Sequence, residues 1–361
     1  MKNPRILIIN PFGIGDVIFS TPLIQILRDS YPDSFIGYLC NKRSYEVLKS
    51  NPNLNKLFIY EKDDYRSVWN RSKLKYFKMV LDFLMEIRRE RFDLLIDLSL
   101  AYQYSLLAKF IGIKKRFGFN YRNRGRFLTR KIDIEGFKHK HVIEYYLDVL
   151  KLLGLETANK LICPKVYLNG LNASWADNFL KDSGVAEKDI LIGVIPGCGA
   201  SWGKDAVLRR WDREKFAEVC DGMIDKYRAK VVLLGDAKEV PICADMEKLM
   251  KHKPIIACGK TSLGDLMGII NRCNLIVTND GGPLHMAVGL GVRTVSIFGP
   301  VNEKVYGPYP PSSRHVALTG DAPCWPCYKN FKYVKCDTQE CLKRIKPDDV
   351  LAAVDRLMEK S

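Results

Sequence analysis

The sequence predicts an α/β protein built from two doubly wound domains. Three observations carry that expectation. Short, continuous apolar runs of the kind that fill parallel strands buried on both faces alternate with amphipathic stretches along the whole chain. Two of those runs open directly into a glycine turn followed by a helical pattern, NPFGIGDV near the start and NDGGPLHM near the end, which is how a nucleotide-binding βαβ unit begins. The length, 361 residues, exceeds what one hydrophobic core usually serves, so two Rossmann-like domains are expected, 1–165 and 166–361.

The first strand is residues 5–9, and the helix after its glycine turn takes its apolar side from Val17, Ile18, Leu23, Ile24, Ile26 and Leu27 before Tyr31-Pro32 ends it. Residues 35–39 complete a βαβ unit, and further strands fall at 56–59 and 94–98. Between them residues 74–91 are amphipathic, with Phe77, Val80, Leu81, Leu84 and Ile87 at helical spacing. Residues 142–153 read as a helix stopped by Gly154, and 160–170 as the crossover to the second domain. There the pattern repeats, with strands at 191–195, 231–234, 255–257, 275–278 and 294–298, helices at 213–227 and 262–273, and a closing amphipathic helix at 347–358. Two such domains facing each other leave a cleft with both glycine turns at its rim.

The net charge of +16 is concentrated in the first half. Residues 1–165 carry 30 Lys+Arg against 17 Asp+Glu, a net +13, and the remainder 27 against 24, a net +3. Such a surface attracts nucleic acid, an anionic membrane or a phosphorylated substrate, and the total does not choose among them. The densest patch, residues 114–131 (KKRFGFNYRNRGRFLTRK), holds eight cations and no acid. No apolar run reaches membrane-spanning length and the opening MKNPRILIINPFG lacks the features of a signal peptide, so a cytoplasmic protein is expected. Most of the eleven cysteines, Cys40, Cys163, Cys198, Cys220, Cys243, Cys258 and Cys273 among them, are scattered singly and fit reduced, buried small hydrophobes.

The stretch 279–300, NDGGPLHMAVGLGVRTVSIFGP, reads as turn, short helix and strand. Gly281 and Gly282 permit a sharp turn, and Pro283 suits the first helical position. A bare helix N-terminus beyond the carboxyl end of a parallel strand offers backbone N–H groups and a positive dipole end, so a nucleotide diphosphate is expected there. The alternative is a turn capped by Asp280 that binds nothing.

Taken together, NPFGIGDVIFSTPLIQILRDSYP, KKRFGFNYR, PGCGASWGKDAVLRRWDREKFAEV, VVLLGDAKEV, GKTSLGDLMGIINRCNLIVTNDGGPLHMAVGLGVRTVSIFGP and CLKRIKPDDVLAAVDRL, in that order, resemble the lipopolysaccharide heptosyltransferase family of inverting glycosyltransferases. The resemblance implies a GT-B fold, metal-independent transfer of a sugar from a nucleoside diphosphate bound in the second domain, and no cofactor. For the family the donor is ADP-heptose and the acceptor the lipopolysaccharide inner core. The chain departs from the pattern at Arg209-Arg210-Trp211-Asp212, where a proline usually follows the tryptophan, in the long loop before it, and at Gly281, where the family usually has Ser or Thr.

Sugar transfer needs a base near the acceptor hydroxyl and stabilisation of the leaving diphosphate. Asp16, opening a helix after a Gly-x-Gly turn, is the expected base, with a plain helix-capping role as the alternative. Arg209 and Arg210 are expected on the diphosphate, because guanidinium forks hold phosphate oxygens bidentately. Ser201 and Lys204 in the same loop are weaker donor candidates, Glu239 is placed for ribose hydroxyls or is an ordinary first-turn helix acid, and His285 is placed for the sugar or for bracing the turn, alongside Asp280, Gly281 and Gly282. Arg122, Arg124 and Arg126 in the basic patch are assigned to an anionic glycolipid acceptor, with peripheral association at the inner face of the cytoplasmic membrane. Cys324, Cys327, Cys336 and Cys341 have a spacing with which four thiolates hold zinc, but the second pair is loosely spaced, so reduced packing cysteines and no metal are expected. A transferase or epimerase for another sugar nucleotide is the alternative within enzymes. A non-enzymatic RNA-binding protein is the alternative outside them, and no nucleic-acid partner is expected because no RNA-binding signature accompanies the basic patch.

Overall fold

A computed structural model describes residues 3–156, 162–199, 203–329 and 331–359. The chain divides into two units, Met1–Ile162 and Cys163–Ser361.

The first unit runs β1 (Ile6–Ile9), α1 (Ile14–Phe19), α2 (Thr21–Ser30), β2 (Ile36–Cys40), α3 (Tyr45–Leu48), β3 (Lys56–Ile59), α4 (Lys62–Arg71), α5 (Lys73–Arg89), β4 (Leu94–Asp97), α6 (Tyr102–Phe110), β5 (Lys115–Tyr121), β6 (Arg130–Ile134) and α7 (Val142–Lys151). Its six strands form one sheet in the order β3-β2-β1-β4-β5-β6, every pair parallel. Ile6, Ile8 and Tyr38 are buried on one face, and Leu7, Ile9, Leu39 and Leu95 pack on the other with Phe58, Ile87 and Phe92. Burial on both faces is why these strands are unbroken apolar runs.

The second unit runs α8 (Gly170–Asp182), β7 (Leu191–Ile195), a 3-10 turn (Gly203–Arg209), α9 (Arg213–Tyr227), β8 (Lys230–Leu233), α10 (Val240–Leu249), β9 (Ile255–Ile256), α11 (Leu263–Arg272), β10 (Leu275–Asn279), α12 (Gly282–Gly289), β11 (Arg293–Phe298), α13 (Glu303–Tyr306), β12 (His315–Thr319), a small hairpin β13 (Tyr328–Lys329) and β14 (Lys332–Tyr333), α14 (Glu340–Lys343) and α15 (Pro347–Met358). Its parallel sheet has the order β12-β11-β10-β7-β8-β9, the connectivity of the first sheet repeated. Each sheet reverses its winding at its centre, between β1 and β4 and between β7 and β10, and ligands in such folds bind beyond the carboxyl ends of the strands at that point.

Several expectations are corrected. The first helix is two: Pro22 at the start of α2 has no N–H to continue α1, and Ser20 and Thr21 hydroxyls donate instead to the carbonyls of Val17 (2.7 Å) and Ile18 (2.8 Å). The basic segment 114–131 contains all of β5 and the start of β6, with Arg122, Arg124 and Arg126 exposed on the connection between them. In α5, two of the apolar residues at helical spacing, Phe77 and Leu81, are exposed, while Phe83 and Ile87 make the inward contacts. Cys163 is exposed, unlike the other six singly placed cysteines, which are buried.

Candidate active site

The donor-side candidates converge on the carboxyl edge of β7, β8 and β10. Asn279, the last residue of β10, is fully buried and ties three segments together: its Nδ2 donates to the carbonyls of Pro196 (2.7 Å) and Gly197 (3.2 Å), and its Oδ1 accepts from the Trp211 N–H (3.1 Å). The Trp211 ring N–H donates in turn to the Ile345 carbonyl (3.1 Å), which anchors the 209–212 segment to the connection between α14 and α15. This is what places both arginines beside the glycine turn.

Arg209 and Arg210 have different surroundings. Arg209 is 7% exposed, and its Nη2 makes a buried ion pair with Asp280 Oδ2 at 2.6 Å. Burial pushes the Asp280 carboxyl above its ordinary value, and the Arg209 guanidinium opposes that shift. Arg210 is half-buried, and among the described residues no acceptor meets its buried Nε. Buried polar groups are nearly always paired, so this donor marks a place where an acceptor belongs.

The turn itself differs in detail from expectation. Asp280 does not cap α12; Gly281 occupies the N-cap position with no side-chain cap, Gly282 is the first helical residue and Pro283 the second. Gly281 is extended (φ 170), a conformation open to any residue, so backbone freedom is not its reason for being glycine. Instead a Cβ there would lie 2.9 Å from the Cys198 carbonyl oxygen, a backbone atom that cannot swing away. The close approach of the β7 loop explains why this chain has no Ser or Thr at 281. Gly282 and Pro283 are half-buried, which leaves the first turn of α12 within reach of solvent. His285 is buried inside the helix, 4% exposed and engaged with its surroundings.

Glu239 is 3% exposed and both carboxylate oxygens are occupied by backbone donors. Oε1 accepts from Cys198 N and Gly199 N, each at 3.0 Å, and Oε2 from Asp236 N at 3.0 Å. It braces the loop after β7 against the turn after β8. Ser201 lies outside the described residues, and of Lys204 only the backbone, within the 3-10 turn, is described.

In the first unit Asp16 sits in the first turn of α1, three residues past the N-cap Gly13, and is half-buried. It is not the capping residue. Asn10, buried at the end of β1, donates to the Asp16 carbonyl (3.0 Å) and fixes the start of the helix. Two strands away, Arg122 and Arg124 lie over the Tyr121 ring and Arg126 over Tyr102 (4.5 Å), so aromatic faces hold three exposed guanidinium groups at the same carboxyl edge of the sheet. Sequence reasoning missed Asp97, which ends β4 directly beside Ile9 of β1 and is 4% exposed. Burial raises its pKa to about 6, against the hydroxyl and N–H of Ser99, which donate to its Oδ1 at 2.5 and 3.0 Å. The signal was an acid closing an otherwise apolar run, LLID.

Cys324 is exposed, Cys327 and Cys336 are half-buried, and Cys341 is buried in α14, all as free thiols. Among the described residues no group of three or more His, Cys, Asp or Glu side chains is arranged to hold a metal ion. No helix among them is long and apolar enough to cross a membrane.

Comparison with known proteins shows the family and the fold. The family model for glycosyltransferase family 9 (heptosyltransferase) matches residues 80–336. Lipooligosaccharide heptosyltransferase 2 of Campylobacter jejuni is 24% identical over 364 residues, covering 99% of each chain. Among solved structures, a glycosyl transferase family 9 protein from Veillonella parvula superposes with a TM-score of 0.82 at 28% identity, covering 100% of this chain and 99% of that one. E. coli ADP-heptose lps heptosyltransferase II superposes with a TM-score of 0.76 at 21% identity, covering 99% and 100%, and shares the GT-B fold.

Proposed function

This chain belongs to glycosyltransferase family 9 (heptosyltransferase), and from that premise we propose that it transfers heptose from ADP-heptose to the inner core of lipopolysaccharide with inversion at the anomeric carbon. The observation that carries the reading is the pairing of an uncapped helix N-terminus at Gly282 with the buried, unmatched Nε of Arg210. A diphosphate supplies the acceptor that this donor lacks. As the bond between the sugar and the diphosphate breaks, the electron pair passes to phosphate oxygen, and the growing charge is met by the Arg210 guanidinium and the positive end of α12. These groups are fixed before reaction, so they cost little reorganisation.

On the acceptor side the incoming hydroxyl oxygen forms the new bond to the anomeric carbon and its proton passes to the Asp16 carboxylate. Asp16 stands half-buried in the first turn of α1. Arg209 and Asp280 form the frame that holds Arg210 and the turn, and Glu239 holds the β7 loop against it. Arg122, Arg124 and Arg126 take anionic groups of the glycolipid acceptor, which puts the reaction at the inner face of the cytoplasmic membrane.

Incubation with a panel of sugar nucleotides and core-lipid acceptors, with products detected by mass, tests the reading. A product one heptose heavier, formed from ADP-heptose in preference to uridine-linked sugars, is expected. Transfer only from another sugar nucleotide would reassign the donor, and donor turnover without an acceptor product would reassign the reaction to an epimerase or hydrolase.

A further inference from the structure

The outer face of α4 and α5 carries an apolar surface that the fold does not use. Along α5, Leu74, Phe77, Leu81 and Met85 recur at intervals of three and four and so form one stripe. They are exposed, Leu74 by 83%, Phe77 by 61% and Leu81 by 59%, and Trp69 near the end of α4 is 41% exposed beside them. Trp69 packs edge-on against Tyr76 (centroids 4.9 Å) and Phe77 (6.1 Å), which joins the two helices into one aromatic-capped ridge. The opposite side of α5 already makes the core contacts: Phe83 meets Tyr60 and Tyr65, and Ile87 joins the cluster on the sheet. The helix is thus apolar on two sides, and only one is covered.

The charges around the stripe identify what covers the other. Residues 66–81 contain five cations, Arg66, Arg71, Lys73, Lys75 and Lys78, and no acid. All five are exposed, and Lys73 lies over the Trp69 ring at 5.5 Å. Leucine and phenylalanine flanked by lysine and arginine, with tryptophan at the edge, is the pattern of a helix lying in a membrane interface. The exposed acids of the two helices, Asp63, Asp64 and Asp82, lie outside that segment, so a second copy docked face to face would bring the five cations of each copy together at the centre of the contact. Phosphate headgroups supply the countercharge that a copy cannot.

We propose that the α4–α5 ridge docks the enzyme on an anionic lipid bilayer, with Leu74, Phe77, Leu81 and Trp69 entering the interface and the five cations on the headgroups. The proposal goes beyond the assigned reaction and is read out without it. Binding of the full chain is measured by co-sedimentation with vesicles of phosphatidylcholine alone and with phosphatidylglycerol added, at low and high salt. The wild type is expected to bind the anionic vesicles, weakly or not at all the neutral ones, and less at high salt. Leu74→Glu with Phe77→Glu, both on exposed positions, lowers partitioning about tenfold or more, and Lys73→Gln with Lys75→Gln about fivefold per charge, with an unchanged Tm and unchanged turnover on a delipidated acceptor. Trp69→Phe is a gentler variant: if the glutamate pair lowers the Tm, quenching of Trp69 fluorescence by brominated lipid, read as the difference between wild type and Trp69→Phe, reports insertion instead. Failure of the wild type to bind anionic vesicles overturns the proposal. So does loss of binding in an Arg122, Arg124 and Arg126 triple variant while the α5 variants bind normally, or a concentration-dependent dimer that the α5 variants dissolve.

Discussion

The two adjacent arginines give the sharpest test of how the site is built, because the proposed function makes Arg209 a frame and Arg210 a ligand group. Arg209→Ala removes the partner of a carboxylate that is 2% exposed and 2.6 Å from it. Breaking one side of such a buried pair costs roughly 3–5 kcal/mol, since the remaining charge has neither water nor countercharge. For a domain of about 200 residues, at roughly 2–4 °C per kcal/mol, the Tm is expected to fall by about 6–20 °C. Arg210→Ala removes a half-buried side chain whose Nε has no acceptor among the described residues, so stability changes little. Its cost appears with donor: about 1.5–3 kcal/mol for a hydrogen bond to a charged group, or roughly 10- to 150-fold in kcat/KM. Because the interaction strengthens as the diphosphate leaves, part of the loss falls on kcat. Differential scanning fluorimetry and steady-state kinetics on both variants read the two quantities separately. Equal effects of the two substitutions on Tm, or wild-type kinetics for Arg210→Ala, would refute the division of roles.

Three further outcomes follow from the same geometry. Asp97 titrates at about 6 when folded against 3.8 for the ordinary group, so the folded state binds the extra proton between those values and stability falls as pH rises through that window, by roughly 3 kcal/mol in all; Asp97→Asn should show a flatter unfolding free energy from pH 4 to 6 and greater stability above it, and an unchanged slope would contradict the assignment. Glu239→Gln puts an NH2 group where backbone donors now point, so a loss of about 1.5–3 kcal/mol and a raised donor KM are expected, with an unaltered Tm as the contrary result. Neutralising Arg122, Arg124 and Arg126 together should raise the acceptor KM and leave donor affinity alone, and salt should weaken the same step in the wild type; a defect in donor binding would show the patch to be misassigned.

The fold was largely legible because parallel strands buried on both faces cannot be written in any other way than as apolar runs. The strands at β1, β7, β10 and β11 and the helices α9 and α15 lie where the pattern put them. The elements that were missed had competing signals. β5 and the start of β6 lie in a run of eight cations whose charge obscured their apolar alternation, and the break between α1 and α2 depends on Pro22 in an otherwise continuous helical period. Periodicity marked α5 as amphipathic without showing that it has two apolar sides, since spacing alone does not say which stripe meets the sheet. At the candidate site, residue chemistry singled out the glycine turn and the arginine pair, which the fold brings together. What separated Arg209 from Arg210, and made Glu239 a brace, are contacts with Asp280 and with backbone N–H groups 40 or more residues away. Nothing in local sequence encodes those.

The central claim is heptosyl transfer with Asp16 as the base, and the most direct measurement is turnover of ADP-heptose and a core-lipid acceptor by the wild type and by Asp16→Asn. The substitution keeps size and the first-turn position but removes basicity, so turnover should fall by about 10²–10⁴, the usual worth of general-base catalysis, with donor affinity and Tm nearly unchanged. Wild-type turnover by a folded Asp16→Asn enzyme would contradict the account.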